Sequence, residues 1–402
     1  MSSHNQDWSI LQLADVVKAE KPIVYGIVQA GPECPGGVPY IKSTDVRGKI
    51  DPSSLSRTSR EIADRYRRSV VRPGDIVFSL RGNIGELSIV PPDLVEANLT
   101  QGTARISVND SALNEYVAFA LREPSLQRKI ARLGKGSTFQ EISLEALRKI
   151  EIQLPPLPEQ RKIAEILRTW DEAIEKLEAL LEANLQRRIW MRSHLFTGRT
   201  RLPGYAGEWR EVALGEVLTE HGLQGTGAEE VFSVSVHKGL INQIEHLGRS
   251  FASANTGHYN RVLPGDIVYT KSPTGDFPLG IIKQSKISAE VIVSPLYGVF
   301  TPVTRPLGVI LDALFESPIA VRNYLYPLVQ KGAKNTIAIT NRRFLEGKLT
   351  LPMDPGEQSA IATVVEASQA ELAAIEAEIE ALTRQKRGLM QKLLTGEWRV
   401  AV

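Results

Sequence analysis

Three stretches carry residues whose types and spacing could do chemistry, and each fails a requirement of that chemistry. Gly134-Lys135-Gly136-Ser137-Thr138 resembles a phosphate-cradling loop, but the first glycine of such a loop would fall on Lys129, so its backbone lacks the needed turn. Glu346-Gly347-Lys348 has the Glu-x-Lys spacing of many nucleases, yet no Asp occurs in the preceding thirty residues to complete a metal site. Pro91-Pro92 lies between Val90 and Asp93, so it lacks the Asn or Asp before it and the aromatic after it that amino-methyltransferases use to hold a flipped base. The six histidines are scattered without ligand spacing, and no Gly-x-Ser-x-Gly nucleophile turn occurs. The single cysteine, Cys34, excludes an intramolecular disulfide and a cysteine-rich zinc site. The chain reads as catalytically empty, with no cofactor or metal of its own.

What remains is binding chemistry. Residues 57–81 hold Arg57, Arg60, Arg65, Arg67, Arg68, Arg72 and Arg81 against Glu61, Asp64 and Asp75, whereas residues 354–380 hold seven acids and no Lys or Arg. A net charge of only +2 hides this segregation. A basic stretch of this kind attracts phosphate, although a charge run is also what a solvated face looks like.

The elements that would position such residues occur twice. Leu154-Pro155 followed by Pro158-Glu159-Gln160 recurs as Leu351-Pro352 followed by Pro355-Gly356-Glu357-Gln358, and each copy opens a helix that closes near Thr197-Gly198 or Thr395-Gly396. In the second copy Met353-Asp354 replaces Pro156-Leu157, and Gly356 reads as an insertion before Glu357. Trp8, Leu13 and Val16 recur as Trp209, Leu214 and Val217. Val71-Arg72-Pro73-Gly74-Asp75-Ile76-Val77-Phe78 recurs as Val262-Leu263-Pro264-Gly265-Asp266-Ile267-Val268-Tyr269, a turn feeding a buried strand. Further strands are expected at 86–90 and 280–283, and short helices at 113–121 and 310–314. The division is therefore a first globular block (1–153), a central long helix (154–198), a second globular block (199–351) and a distal long helix with its tail (352–402). A repeat this long is a whole domain plus its helix, not a solenoid unit.

The long helices show a 3.5-residue apolar period. One stripe of the first is Ile163, Trp170, Leu177, Asn184 and Met191, and its companion is Leu167, Ile174, Leu181, Arg188 and Leu195. The second helix repeats them as Ile361, Ser368, Ile375, Leu382, Leu389 and Val365, Leu372, Ile379, Lys386, Leu393. This spacing predicts coiled-coil packing. Each helix needs a partner, and the simplest is the other, antiparallel. The fold class is thus α+β: two similar α/β domains separated by two long antiparallel coiled-coil helices under a pseudo-two-fold axis. Lys386 would then lie level with Trp170, where a cation–π contact is possible, or else Asn184, Arg188, Ser368 and Lys386 snorkel to water.

With 402 residues and 42% hydrophobic content, the chain can bury two or three cores. Its start lacks signal-peptide character and no stretch reaches the ~18 apolar residues of a membrane span, so a cytoplasmic location is expected.

The ordered pattern of two variable blocks, each followed by a helix that opens on Leu-Pro and Pro-Glu-Gln-like sequence and ends at Leu-Thr-Gly-like sequence, resembles the specificity subunit of type I DNA restriction-modification systems. The resemblance spans essentially the whole chain: 154–167 and 195–205 match the family's central repeat, and 351–365 and 393–400 its distal copy. It implies that each block is a target-recognition domain reading one half of a split, asymmetric double-stranded DNA site. It further implies two methyltransferase (M) subunits using S-adenosylmethionine to methylate adenine, and restriction (R) subunits that translocate with ATP and Mg and join for phage defence. The chemistry would belong to those partners.

Arg and Lys contact phosphates or guanine edges, and Asn, Gln, Ser and Thr supply further hydrogen bonds. On that ground the candidates in block one are Arg57, Arg60, Arg65, Arg67, Arg68, Arg81, Lys135 and Ser137. In block two they are His237, Lys238, Arg249, Lys271, Thr274, Lys334, Asn335, Arg342 and Arg343. Tyr66 and Tyr259 suit packing beside a displaced strand, and Tyr269 suits the core. A helix of this length spans roughly 57 Å, so a four-residue insertion, adding about 6 Å, is expected to lengthen the preferred DNA spacer by one or two base pairs. Two other readings stay open: a structural coiled-coil adapter that does not touch DNA, and a self-contained DNA-modifying enzyme with an unrecognised active site.

Overall fold

Pro-Gly-Asp builds the same corner in both halves. Gly74 and Gly265 take positive φ of 87° and 90°, which glycine adopts without a Cβ penalty. The aspartate then closes the turn on the backbone N–H three residues earlier, Arg72 to Asp75 at 2.9 Å and Leu263 to Asp266 at 2.8 Å. Its other oxygen accepts from a neighbouring strand, from Ser107 at 2.6 Å or Thr301 at 2.7 Å. Each corner launches a fully buried strand, β5 (Ile76–Ser79) or β15 (Ile267–Tyr269).

The computed structural model describes residues 8–134, 140–247, 256–331 and 337–401. Two compact units divide the chain, Met1–Glu178 with Ala377–Val402, and Ala179–Glu376. In the first unit β2 (Val24–Tyr25), β8 (Thr103–Ile106), β5 and β6 (Leu87–Ile89) form an antiparallel sheet in that order. β1 (Ser9–Gln12) pairs with β9 (Glu151–Leu154), and β3 (Val38–Ile41) pairs with β4 (Arg57–Thr58) and β7 (Asn98–Leu99). A six-residue helix α1 (Arg60–Arg65) follows β4. Helices α2 (Asn114–Arg122), α3 (Pro124–Leu133) and α4 (Leu144–Arg148) complete the unit's own part. The principal core joins Phe78, Ile106, Tyr116, Phe119 and Leu147 to Ile163 and Leu167 of the long helix α5 (Leu157–His194).

The second unit repeats the plan: β11 (Leu218–Glu220), β18 (Gly298–Pro302), β15 and β16 (Ile282–Gln284) lie in the same antiparallel order. β10 (Trp209–Ala213) pairs with β21 (Lys348–Pro352) as β1 does with β9. Helices α7 (Arg305–Leu314), α8 (Pro318–Leu325) and α9 (Asn341–Glu346) follow, with Thr304, Ser317 and Thr340 as N-caps, each side chain satisfying an otherwise orphaned N–H. The unit differs in what it adds: a hairpin of β12 (Phe232–Ser235) and β13 (Gly239–Asn242), α6 (Gln243–Leu247), and the pairs β14 (Asn260–Val262) with β17 (Val291–Val293) and β19 (Gln330–Lys331) with β20 (Ile337–Ala338). The strands and short helices expected from sequence are present with shifted ends, and α7 begins five residues before the expected Ile310.

α5 and the second long helix, α10 (Pro355–Leu394), each contribute to both units. Within the first unit they run antiparallel, with Glu159 bonded to Arg399 and Asp171 to Lys386. Within the second, Arg201 bonds Glu357 and Arg187 bonds Glu371. Ile163, Leu167, Leu195, Ile361, Val365, Ile375 and Leu393 are buried. Trp170, Ile174, Leu177, Leu181, Leu372, Ile379, Leu382 and Leu389 are half-buried.

The polar positions in the stripes depart from expectation. Asn184, Arg188 and Ser368 are buried and Lys386 is half-buried. Arg188 makes a two-point bond to Glu316, at 2.9 and 2.5 Å, and Asn184 bonds the Leu180 carbonyl of its own turn at 3.0 Å. Ser368 is buried, and its hydroxyl has no partner among the described residues. Lys386 meets the Asp171 carboxylate and the ring of Phe119, at 5.7 Å, in place of Trp170, since a carboxylate on the facing helix is the stronger partner for an ammonium. The extra residue of the second Leu-Pro motif is also placed differently. Gln160 Nε2 donates to the Pro155 carbonyl and Gln358 Nε2 to that of Pro352, and α5 and α10 each begin three residues before that glutamine, at Leu157 and Pro355, so the extra residue lies ahead of the helix, at Met353–Asp354, and not at Gly356. Asp354 there accepts from Glu357 N at 2.8 Å and caps α10. No helix among the described residues is long and apolar enough to cross a membrane.

Candidate nucleic-acid interface

The repeated Glu-Gln of each helix start builds one constellation per unit. Glu159, 2% exposed, accepts from Trp8 Nε1 at 3.0 Å and from Arg399 Nε and Nη2 at 2.7 and 2.8 Å. Glu357, 1% exposed, accepts from Trp209 Nε1 at 3.2 Å and from Arg201 Nε and Nη2 at 2.5 and 2.6 Å. Each arginine also lies near its tryptophan ring, at 5.6 and 5.8 Å. Burial acts against the Glu159 carboxylate, but the bonds from Arg399 and Trp8 and the arginine's charge outweigh it and hold the group below its ordinary pKa. The neighbouring glutamines tie the start of α2 or α7 to the helix: Gln160 accepts from Leu113 N at 2.8 Å, and Gln358 from Thr304 Oγ1 at 3.1 Å. These residues fasten each sheet domain to its helices. The sequence reading named the repeated Glu-Gln and the Trp8 and Trp209 pair but missed Arg201 and Arg399, whose signal is an arginine three positions beyond Thr-Gly in both copies.

The basic stretch of the first unit is an ion-pair lattice. Arg60 bonds Asp64 and Glu96 at 3.3 and 3.2 Å, Arg65 bonds Glu61 at 2.6 Å, and Arg67 reaches Asp64 at 3.4 Å. Arg81 lies 2.9 Å from Glu141, and Arg57 donates to the Gly37 carbonyl at 2.9 Å. Arg68 is exposed and has no partner among the described residues. Exposed pairs of this kind are worth ~1 kcal/mol or less, so the arginines can exchange a carboxylate for a phosphate at little cost. Tyr66 is half-buried beside them. Nearby, Arg47 donates to Asn83 at 2.5 Å, a pair the sequence reading missed because the two lie 36 positions apart.

In the second unit His237 and Lys238 form the exposed turn of the β12–β13 hairpin. Lys271 and Thr274 lie on the loop after β15, Lys271 half-buried and Thr274 exposed. Arg342 and Arg343 on α9 both pair with Glu346, at 3.2 and 3.0 Å. Tyr259 is half-buried against His258, and Tyr269 is buried and stacked on Phe344 at 4.9 Å. Lys135, Ser137, Arg249, Lys334 and Asn335 lie outside the described residues. A cavity of about 580 Å³ includes Lys286, Arg305, Asp312 and Glu366 in its wall, paired as Lys286–Asp312 at 3.0 Å and Arg305–Glu366. Among the described residues no three of His, Cys, Asp and Glu converge as a metal-binding group.

Residues 5–185 match the family described as Type I restriction modification DNA specificity domain. Over this segment, which is less than half of its length, the chain is similar to that family. Over 176 residues it is 30% identical to the type I restriction enzyme EcoBI specificity subunit of Escherichia coli, a match covering 42% of this chain and 37% of that protein. Over 226 residues it is 24% identical to the type I restriction enzyme MjaVIII specificity subunit of Methanocaldococcus jannaschii, covering 53% and 49%. The chain thus spans between about a third and a half of the curated relatives it matches. In fold it is similar to the type I restriction-modification system S subunit from M. genitalium, with a TM-score of 0.61 at 16% identity over 98% of each chain. The matched segment contains the sheet domain joined to its helix by the Trp8–Glu159–Arg399 clamp, and a second unit of the same sheet order with its own clamp follows it.

Proposed function

We propose that this chain is the DNA-recognition subunit of a type I restriction-modification complex, and that it is not itself an enzyme. Each globular block, 1–153 and 199–351, acts as a target-recognition domain for one half of a bipartite, asymmetric site. The observation that carries the reading is the duplication of one reader topology, each copy clamped to its own helix segments, within a chain whose first half matches the specificity-domain family. A two-part reader gains specificity because the second contact becomes intramolecular once the first is made.

The candidates for DNA contact are the exchangeable arginines of the first unit (Arg57, Arg60, Arg65, Arg67, Arg68 and Arg81) and, in the second, His237, Lys238, Lys271, Thr274, Arg342 and Arg343. Two methyltransferase subunits carrying S-adenosylmethionine, and restriction subunits using ATP and Mg, would supply the chemistry, and the complex would work in the cytoplasm. The test is to map methylated adenines in a host given this chain with its methyltransferase partner. A two-part motif that vanishes when the chain is omitted is expected. Methyl transfer by the purified chain alone would replace this reading with that of a self-contained enzyme.

A further inference from the structure

Resting on that DNA-reading role, we infer that Lys271, Glu220 and Asn341 of the second unit form a reading group for a guanine–cytosine pair. They lie around the end of the central sheet where β15 runs out and β18 begins: Glu220 on the face of β11 that carries Leu218, Lys271 two residues past β15, and Asn341 opening α9. Tyr269 pairs with Gly298, and Glu220 sits opposite Phe300. Asn341, at the start of α9, donates its amide to Glu220 Oε1, while its own Oδ1 is buried without a partner among the described residues. That oxygen lies over Gly298, where an added Cβ would come within 2.9 Å of it.

The fold does not require polarity at these places, because the first unit has the same topology and fills them with hydrocarbon. Phe78 and Tyr269 are equivalent in β5 and β15, so Leu80 answers to Lys271. Extending the β2–β8 register by one residue sets Ile23 where Glu220 lies. Ser143 and Thr340 cap α4 and α9 in the same manner, so Leu144 answers to Asn341. Leu80 and Ile23 are each 2% exposed and Leu144 packs on the same core. An apolar trio in one copy has become a lysine, a carboxylate and an amide in the other. Lys271 and Asn341 are half-buried and Glu220 is exposed, so the polar trio is within reach of a ligand, and partial burial of the lysine and amide carries a cost that hydrocarbon would not.

The backbone carries a second cost. Lys271 has φ of 57°, the one non-glycine residue with positive φ among those described, in a conformation that disfavours a side chain bearing Cβ by ~1 kcal/mol or more. It is held there by Gly280, whose missing Cβ would come within 2.9 Å of Lys271 N. Burial draws the Lys271 amine below its ordinary pKa, and the charge of Glu220 draws it back.

The chemistry suits one base pair. The ammonium donates to guanine O6 or N7, and Glu220 Oε2, which accepts no hydrogen bond among the described residues, takes the cytosine N4–H. Asn341 holds the carboxylate in place.

The experiment is selection from a library of random-sequence DNA duplexes by the full-length chain together with its methyltransferase subunit, comparing wild type, Lys271→Leu and Lys271→Arg. Wild type is expected to enrich a two-part motif. Lys271→Leu, which copies the first unit, is expected to relax one guanine–cytosine position in one half by about tenfold or more, leaving the other half unchanged. Lys271→Arg should keep the guanine preference. An unchanged motif with Lys271→Leu overturns the inference. So does loss of all enrichment by both variants, which would give the trio a folding role. If wild type itself enriches no motif, the DNA-reading role fails and this inference with it.

Discussion

Glu159 and Glu357 are buried carboxylates whose arginine and tryptophan partners lie up to 240 positions away in sequence. Removing the charge leaves a half-buried guanidinium without its carboxylate, so Glu159→Gln is expected to lower stability by about 2 kcal/mol, read as a reduced denaturant midpoint of the full chain. The pH dependence follows from the depressed carboxyl of Glu159. Its contribution is fully present above the ordinary value of 4.5 and is lost as pH falls through the lower value of the folded state. Melting temperature recorded between pH 3 and 6 should therefore fall less steeply for Glu159→Gln than for wild type; parallel curves would refute this. At the surface, Arg67 and Arg68 differ in a way that binding can read. Arg67 is shared with Asp64, whereas Arg68 is unpaired among the described residues. Charge reversal at Arg68 should weaken binding to all duplex sequences and shallow the salt dependence by about one unit of slope, with a smaller effect at Arg67. Unaltered affinity at low salt for both would show that this face does not meet phosphate.

At the scale of elements, the long helices were legible because a 3.5-residue apolar period is a local property of sequence. Their polar exceptions were not. Arg188 finds Glu316, 128 positions away on a segment following α7, and periodicity holds no information about such a partner. Burial raises the pKa of the Glu316 carboxyl, but Arg188, Lys283 and Arg192 overcome that effect and lower it. Arg188→Met alone should cost about 3 kcal/mol by stranding that carboxylate, while Arg188→Met with Glu316→Leu should recover most of the loss. A double variant no more stable than the single one would show that the pair is not coupled. Gly198 was read as helix punctuation. Its φ of 72° supports that, and an added Cβ would also strike the Trp209 ring at 2.9 Å, a tertiary contact no local signal reveals. The arginine run 57–81 was legible as a run but not as a lattice, because Glu96 and Glu141 lie outside it.

For the whole molecule, the duplication was the plainest message of the sequence. Pro-Gly-Asp, Glu-Gln and Thr-Gly are short and local, and each recurs with its structural duty intact. The additions that distinguish the units, the sheet of β3, β4 and β7 in one and the β12–β13 hairpin in the other, had no repeat to announce them. Where two copies keep a topology and differ in their additions, the proposed reading role assigns different targets to those differences. The most direct measurement of the central claim is adenine methylation mapped across the genome of a host carrying the chain with its methyltransferase partner, before and after residues 8–153 are replaced by the corresponding block of another family member. The expected result is a two-part motif in which one half changes and the other stays. A motif in which both halves change, or methylation that never depended on the chain, would contradict the account.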